Sequence, residues 1–251
     1  MTSVALTPAL APLAARVCPW LVDTVAPDQD EPEDGVVRAM TLILRLERDA
    51  PTRTAVLESA AAAALALCLD ERAGPDGPWF DAVTAWAGAG RIRKLSRRAR
   101  TAHWRAVQEI DGVTVGELVR ALVPGPVEDV PHEVRRLQIG GTDLPPDEPG
   151  PPPAGVPVIW LSPEVEQTVG KAAAQVGHAT MLVAALWPDT ADWAAKGFPV
   201  AVRTPSRDQW AALHPGDDPA GAWRTRGVVA VRDAGFTEIA PGTVTVLAQL
   251  P

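Results

Sequence analysis

At 251 residues, with 47% apolar and 22% charged side chains, the chain has the composition of an ordinary globular interior and enough length for one large domain or two small ones. The formal net charge of −8 opposes non-specific nucleic-acid binding, so any RNA contact has to come from a local basic patch. Two cysteines, Cys18 and Cys68, exclude a disulfide framework and fit a reducing compartment.

The N-terminal stretch is apolar, but Arg16 is its first basic residue and Pro8, Pro12 and Pro19 interrupt it. Neither the charged start of a signal peptide nor a membrane span is expected, and the chain reads as cytoplasmic. Residues 40–46 are strand-like, and 52–69 form an Ala-rich helix in which Cys68 is a small apolar group. Residues 91–105 contain no acid. A helix is expected over 97–108, with Ile92, Leu95, Ala99, Ala102 and Ala106 as an apolar stripe and a cationic opposite face. That face, with Arg93, Lys94, Arg97 and Arg98, can track an RNA backbone while Trp104 offers a stacking plane. It equally fits a solvated surface pairing with nearby acids. Residues 112–115 are strand-like, and 134–139 would be a last strand.

Residues 144–155, Leu-Pro-Pro-Asp-Glu-Pro-Gly-Pro-Pro-Pro-Ala-Gly, can enter neither helix nor sheet and read as a stiff connector. The expected domains are therefore 1–143 and 156–251. In the second, strands are expected at 156–161, 198–203, 227–232 and 243–250, with helices at 168–187 and 206–213. Alternating strands and helices give an α/β fold, a small mixed sheet with helices packed on its faces. The first domain repeats this order. Gly-Val-Thr-Val at 112 echoes Gly-Val-Val-Ala at 227, and the surroundings of Trp104 echo those of Trp210. Two tandem copies of one fold is one reading. An unrelated α+β domain or a helical appendage is the other.

Two motifs carry the chemistry. In Gly170-Lys171-Ala-Ala-Ala-Gln175-Val-Gly-His178, spacings of four and three put Lys171, Gln175 and His178 on one helical face. Lys171 behind Gly170 adds its ammonium to the unpaired N–H groups of a first helical turn, which suits an oxyanion or phosphate. A solvent-facing lysine is the plainer alternative. The second motif runs Asp233-Ala-Gly-Phe-Thr237-Glu-Ile-Ala-Pro-Gly-Thr-Val-Thr245. Asp233, at a strand end, can orient water or hold the Lys171 ammonium, or it can simply cap the turn before Gly235. Thr237 and Thr245 offer hydroxyls or serve as β-branched filler. No serine near Ser162 or Ser206 has a nucleophile signature, Gly170-Lys171 is not a P-loop, and no Cys/His spacing suits zinc. No metal or cofactor is expected.

Together, in this order and spacing, the motifs resemble the archaeal and eukaryotic-type (type II) peptidyl-tRNA hydrolases over residues 156–251. The resemblance implies hydrolysis of the ester between peptide and tRNA, with Lys171, Asp233, Gln175, His178, Thr237 and Thr245 in the active site and tRNA as the partner. Gly170, with Arg93, Lys94, Arg97 and Arg98, would bind substrate. Phe236 stands where the family is often basic, and Glu238 where Gln is common, which leaves a non-catalytic tRNA or acceptor-end binder as the alternative. Relatives are often dimeric. An attached first half, lacking the Gly-Lys, His and Asp-Ala-Gly signatures, could make the chain a pseudo-dimer by itself, with a homodimer as the other possibility.

Overall fold

The computed structural model describes residues 10, 12–13, 15, 18, 34–88, 92–140, 143–187, 190–233 and 239–251. Residue 91, at the start of the acid-free stretch, and Pro8, Arg16, Pro19, Gly235, Phe236, Thr237 and Glu238, named above, lie outside them. In strand β1 (Arg38–Arg45), Met40, Leu42 and Leu44 face the main core while Ile43 faces a smaller outer cluster, as a period of two demands. Helix α1 (Arg53–Cys68) begins where the Thr52 side chain accepts from the Ala55 N–H. Then follow α2 (Phe80–Gly88), β2 (Arg93–Ala99), α3 (Thr101–Ala106), β3 (Gly112–Val115), β4 (Val119–Leu122), β5 (Gly125–Pro126) and α4 (His132–Arg135). The sheet order is β2-β1-β4-β3, with β5 also on β1. Only β1 and β2 run parallel.

After the proline-rich segment come β6 (Val158–Leu161), α5 (Val169–Leu186), α6 (Ala191–Ala195), β7 (Ala201–Arg203), α7 (Arg207–Leu213), α8 (Pro219–Arg226), β8 (Val228–Arg232) and β9 (Val244–Gln249). Their sheet order is β7-β6-β9-β8, again with only the first pair parallel. The molecule is thus mixed α/β, with two mixed sheets of the same strand order and sense and helices packed on them. The registers correspond as well. Leu42 pairs with Ser96 and Ala121, and Ala121 with Val113; Ile159 pairs with Val202 and Ala248, and Ala248 with Val229.

Helices α1 and α5 pack against each other between the sheets, and each also touches the parallel edge strand of the other half. Small side chains make this close approach possible. The Thr180 hydroxyl donates to the Ala61 carbonyl at 2.8 Å, and a methyl group on Gly177 would sit 3.0 Å from the Ala64 Cβ. Ala61 stands as far after the cap Thr52 as Gly177 does after the cap Thr168, and Ala64 as far as Thr180. Exchanging the two halves therefore exchanges these two contacts, the pattern of an isologous interface.

Several expectations are corrected. The helix expected over 97–108 is strand β2 followed by the short α3 and a 3-10 turn, Val107–Glu109. The cationic helical face does not exist: along β2, Lys94, Ser96, Arg97 and Ala99 are buried, while Ile92 and Leu95 are only partly so. Residues 134–139 do not form the last strand. They are the end of α4 and a bend, tied to β2 by one isolated bridge, Arg98 with Gln138, and the last long strand of that sheet is β4. Helices α2, α6 and α8 were not anticipated. The proline-rich segment carries neither helix nor strand but is strapped down: Asp147 accepts from the Thr54 N–H and hydroxyl, both at 2.9 Å, and Arg203 Nε donates to the Gly150 carbonyl at 2.7 Å.

Because Gly177 lies where the helices nearly touch, Gly177→Leu should wedge them apart and destabilise the protein by about 1–3 kcal/mol or more. A urea titration against wild type checks this; an unchanged midpoint would mean the interface yields freely.

Candidate active site

The site is built where α5 meets the β8–β9 connection. Thr168 caps α5, its hydroxyl accepting from the Lys171 N–H at 3.2 Å. The helix then carries Lys171, Gln175 and His178 up one face. On the facing sheet, Asp233 directly follows β8, and its backbone is pinned: its N–H donates to the Thr243 carbonyl and its carbonyl accepts from the Gly242 N–H, both at 2.8 Å. Gly242 has φ 80°, a left-handed conformation that glycine takes without strain. The corresponding connection in the first half is a tight hairpin over 116–118, so nothing there answers residues 233–243.

Asp233 Oδ2 accepts from the Lys171 ammonium and, at 2.8 Å, from the Gln175 amide. Gln175 Oε1 in turn accepts from the Thr245 hydroxyl at 2.7 Å. Lys171, Asp233, Gln175 and Thr245, proposed from sequence, are therefore brought together in one chain of hydrogen bonds. The ion pair is largely desolvated, with side-chain exposures of 13% for Lys171 and 4% for Asp233. A pair removed from water in this way persists only with excellent geometry and further hydrogen bonds. Gln175 and Thr245 supply them. Gln167, also buried, donates to the Thr245 carbonyl at 3.2 Å, and the Gln167 carbonyl accepts from Arg53 of α1 at 2.8 Å. The first half thus reaches the loop that leads into the site helix.

His178 is not part of this chain. Its Nδ1 lies 2.9 Å from the Lys94 ammonium, which comes from β2 of the first half. Burial, then the Lys94 and Lys171 charges, push the imidazole well below its usual range, so the ring is neutral. Burial likewise pulls Lys94 down to about 7, opposed by nearby Cys68, and pushes the Cys68 thiol up to about 12. Gly170 sits in the first turn of α5 with its carbonyl accepting from the Ser96 hydroxyl at 2.8 Å. Of the cations expected to meet substrate, Lys94 is buried against His178, and Arg97 is buried, donating to the Leu137 carbonyl at 3.0 Å. Arg93 and Arg98 are half-buried, whereas Arg100, Arg105, Arg135 and Arg136 are exposed.

The contributions of Ser96, Gln167 and Arg53, and the contact of Lys94 with His178 in place of substrate, were missed. The only sequence signal for Lys94 and Ser96 is that they alternate, as residues on one face of a strand do. Among the described residues, no three His, Cys, Asp or Glu side chains converge to hold a metal ion, and no helix is long and apolar enough to cross a membrane.

Residues 157–251 match the family model described as peptidyl-tRNA hydrolase PTH2. The match supports the type II peptidyl-tRNA hydrolase family for the C-terminal segment, the part that holds α5, Asp233 and Thr245. No curated protein matches the chain.

Two outcomes follow. Thr245→Val removes the donor that holds Gln175 and should cost about 1–3 kcal/mol of stability, read from chemical denaturation. Because unfolded His178 takes a proton below its ordinary value of 6.5 and the folded ring does not, the unfolded state binds more protons there and stability falls as pH drops. His178→Gln should flatten the stability profile between pH 7 and 5; an unaltered slope would place the titration elsewhere.

Proposed function

We propose that the C-terminal half hydrolyses the ester between the peptide and the terminal ribose of peptidyl-tRNA, working as a soluble enzyme in the cytoplasm. The reading is carried by one observation: an ammonium and an amide from the first turns of α5 bind the same oxygen of Asp233, in the segment that matches the hydrolase family. Asp233, oriented by these donors, takes a proton from water as the water oxygen bonds to the ester carbon. The oxyanion that develops faces Lys171 and the N–H groups at the start of α5. When the bond from carbon to ribose oxygen breaks, the proton passes to that oxygen. Gln175 and Thr245 keep the carboxylate oriented, and Thr237 belongs to the same proposal through the motif. Neither metal nor cofactor enters this chemistry.

The tRNA would approach along the side of α5 where β2 lies, since Ser96 ties that strand to Gly170. Arg93 and Arg98, with exposed Arg100, Arg135 and Arg136, offer the local positive charge that an acidic chain needs for phosphate contact.

We also infer that residues 1–143 are a second copy of the fold without catalysis, joined through residues 144–155 to the catalytic unit at 156–251. Shared strand order, shared registers and the exchange of contacts across α1 and α5 support this. Counted from the caps, Ala55, Ser59 and Ala62 stand where Lys171, Gln175 and His178 stand in α5. A chain that contains both partners of such an interface needs no second chain. Light scattering should give a monomer near 26.5 kDa, and a dimer would count against the reading.

Release of labelled peptide from peptidyl-tRNA by the purified protein tests the activity. Lys171→Ala and Asp233→Asn should each lower kcat by about 10²-fold or more. Tight tRNA binding without turnover in the wild type would replace hydrolysis with simple acceptor-end binding. Equal rates in wild type and variants would move the active site elsewhere.

A further inference from the structure

Strand β2 differs from its counterpart in a directed way. By register, the inward positions occupied by Val200 and Val202 in the second half carry Lys94 and Ser96 in the first. Val200 and Val202 are buried in the main apolar core. Lys94 and Ser96 are buried too, but each spends its polar group on α5: Ser96 on the Gly170 carbonyl at 2.8 Å, Lys94 on His178 Nδ1 at 2.9 Å. The surroundings of Lys94 are shaped to hold it. A methyl group on Gly177 would lie 3.2 and 3.3 Å from its Cε and Cδ, so the glycine leaves room for the lysine stem. The Trp86 ring faces the ammonium at 5.1 Å, and the Trp86 N–H donates to the Arg93 carbonyl at 2.9 Å, fixing the ring to the same strand.

We propose that Lys94 is a positioning residue for the active site: by donating to His178 Nδ1 it holds that ring as the neutral tautomer with its proton on Nε2. An ammonium has donors and no acceptor, so the nitrogen facing it must present a lone pair. His178 then offers an N–H on its other side and cannot serve as general base, which leaves that task to Asp233. Burial opposes the Lys94 charge, while the Trp86 ring of α2 faces it; the Cys68 thiol of α1 lies nearby as a neutral group, and Lys171, earlier on α5, is a like charge near His178. The catalytic part of this proposal rests on the hydrolase reading above; the tautomer does not.

The test uses the full chain with nitrogen-15 histidine, in which four histidines are present and His178→Gln assigns the signal. Long-range proton–nitrogen spectra at pH 6 should show His178 as one neutral tautomer, Nε2 protonated and Nδ1 bare. At pH 9, where the Lys94 amine can also accept, the Nδ1-protonated form should appear in the wild type itself. Lys94→Met keeps the stem and drops the charge, and should mix the tautomers at pH 6. It should also lower kcat by about tenfold while leaving KM for peptidyl-tRNA within about twofold, because Lys94 touches no substrate. A wild-type ring protonated at Nδ1 at pH 6, or spectra unmoved by both Lys94→Met and pH 9, would overturn the proposal. A rise in KM alone would make Lys94 a phosphate contact and overturn it equally. If the wild type hydrolyses no peptidyl-tRNA, the hydrolase reading fails and takes the kcat arm with it, while the spectra still decide the tautomer.

Discussion

Everything in this molecule is organised around the face-to-face contact of α1 and α5. Both helices are rich in alanine where they meet, and the approach is close enough for the Thr180 hydroxyl to reach a backbone carbonyl of the opposite helix. Apolar surface from both sheets and both helices merges into one main core, so the two halves cannot be stabilised independently of this seam. Its consequence for the site is mechanical. Helix α5 is buried on nearly all sides along its length, and a helix held this firmly presents Lys171 and Gln175 to Asp233 with little freedom to drift. Orientation of that quality is what the proposed ester hydrolysis would draw on.

The ion pair at the head of α5 gains from the same burial that makes it costly. Two charges withdrawn from water attract strongly, but only a network that uses their remaining hydrogen-bonding capacity offsets desolvation. Here the network runs from Lys171 through Asp233 and Gln175 to Thr245, a strand residue fully buried next to the carboxylate. Sheet and helix each contribute half of it. The backbone of Asp233 is tied to residues 242 and 243 by two hydrogen bonds, so the carboxylate's position is set by β8 and β9 while its charge is balanced by α5.

Much of this was legible because it follows simple periodicities. Helical spacing placed Lys171 and Gln175 on one face, and the Val-rich run before Asp233 marked a strand ending in an acid. The elements β6, α5, β8 and β9 lie close to their expected bounds for the same reason. What escaped has polar residues where a sheet normally turns apolar ones inward. In β2 the inward positions are Lys94 and Ser96, so the alternation is invisible to a hydrophobicity pattern and the arginines suggested a solvated helix. In β4, Arg120 interrupts the apolar run; it is buried with its guanidinium on the Thr114 hydroxyl at 2.8 Å and the Gln108 carbonyl at 3.2 Å. The echo of Gly112 in Gly227 is off by one residue: Gly112 pairs with Leu122 as Val228 pairs with Gln249. Matching glycines by eye follows composition, whereas register follows the pleat.

The placement of Lys94 bears on what the first half, proposed above to be a copy without catalysis, contributes. In a symmetric dimer, each residue that braces the partner's helix must occur in both subunits, and its own copy must be tolerated beside its own site. A lysine on the edge strand would then be buried twice, once on each side of the seam. On the duplication proposed above, joining both partners in one chain removes that constraint. The edge strand of the first half carries Lys94 and Ser96 toward α5, while the edge strand of the second half carries Val200 and Val202 into the core beside α1. Helix α1, with Ala55 and Ser59 at the positions of Lys171 and Gln175, has no charged constellation to brace. The asymmetry is therefore confined to where it acts, with a polar strand against the helix that holds the ion pair and an apolar strand against the helix that does not.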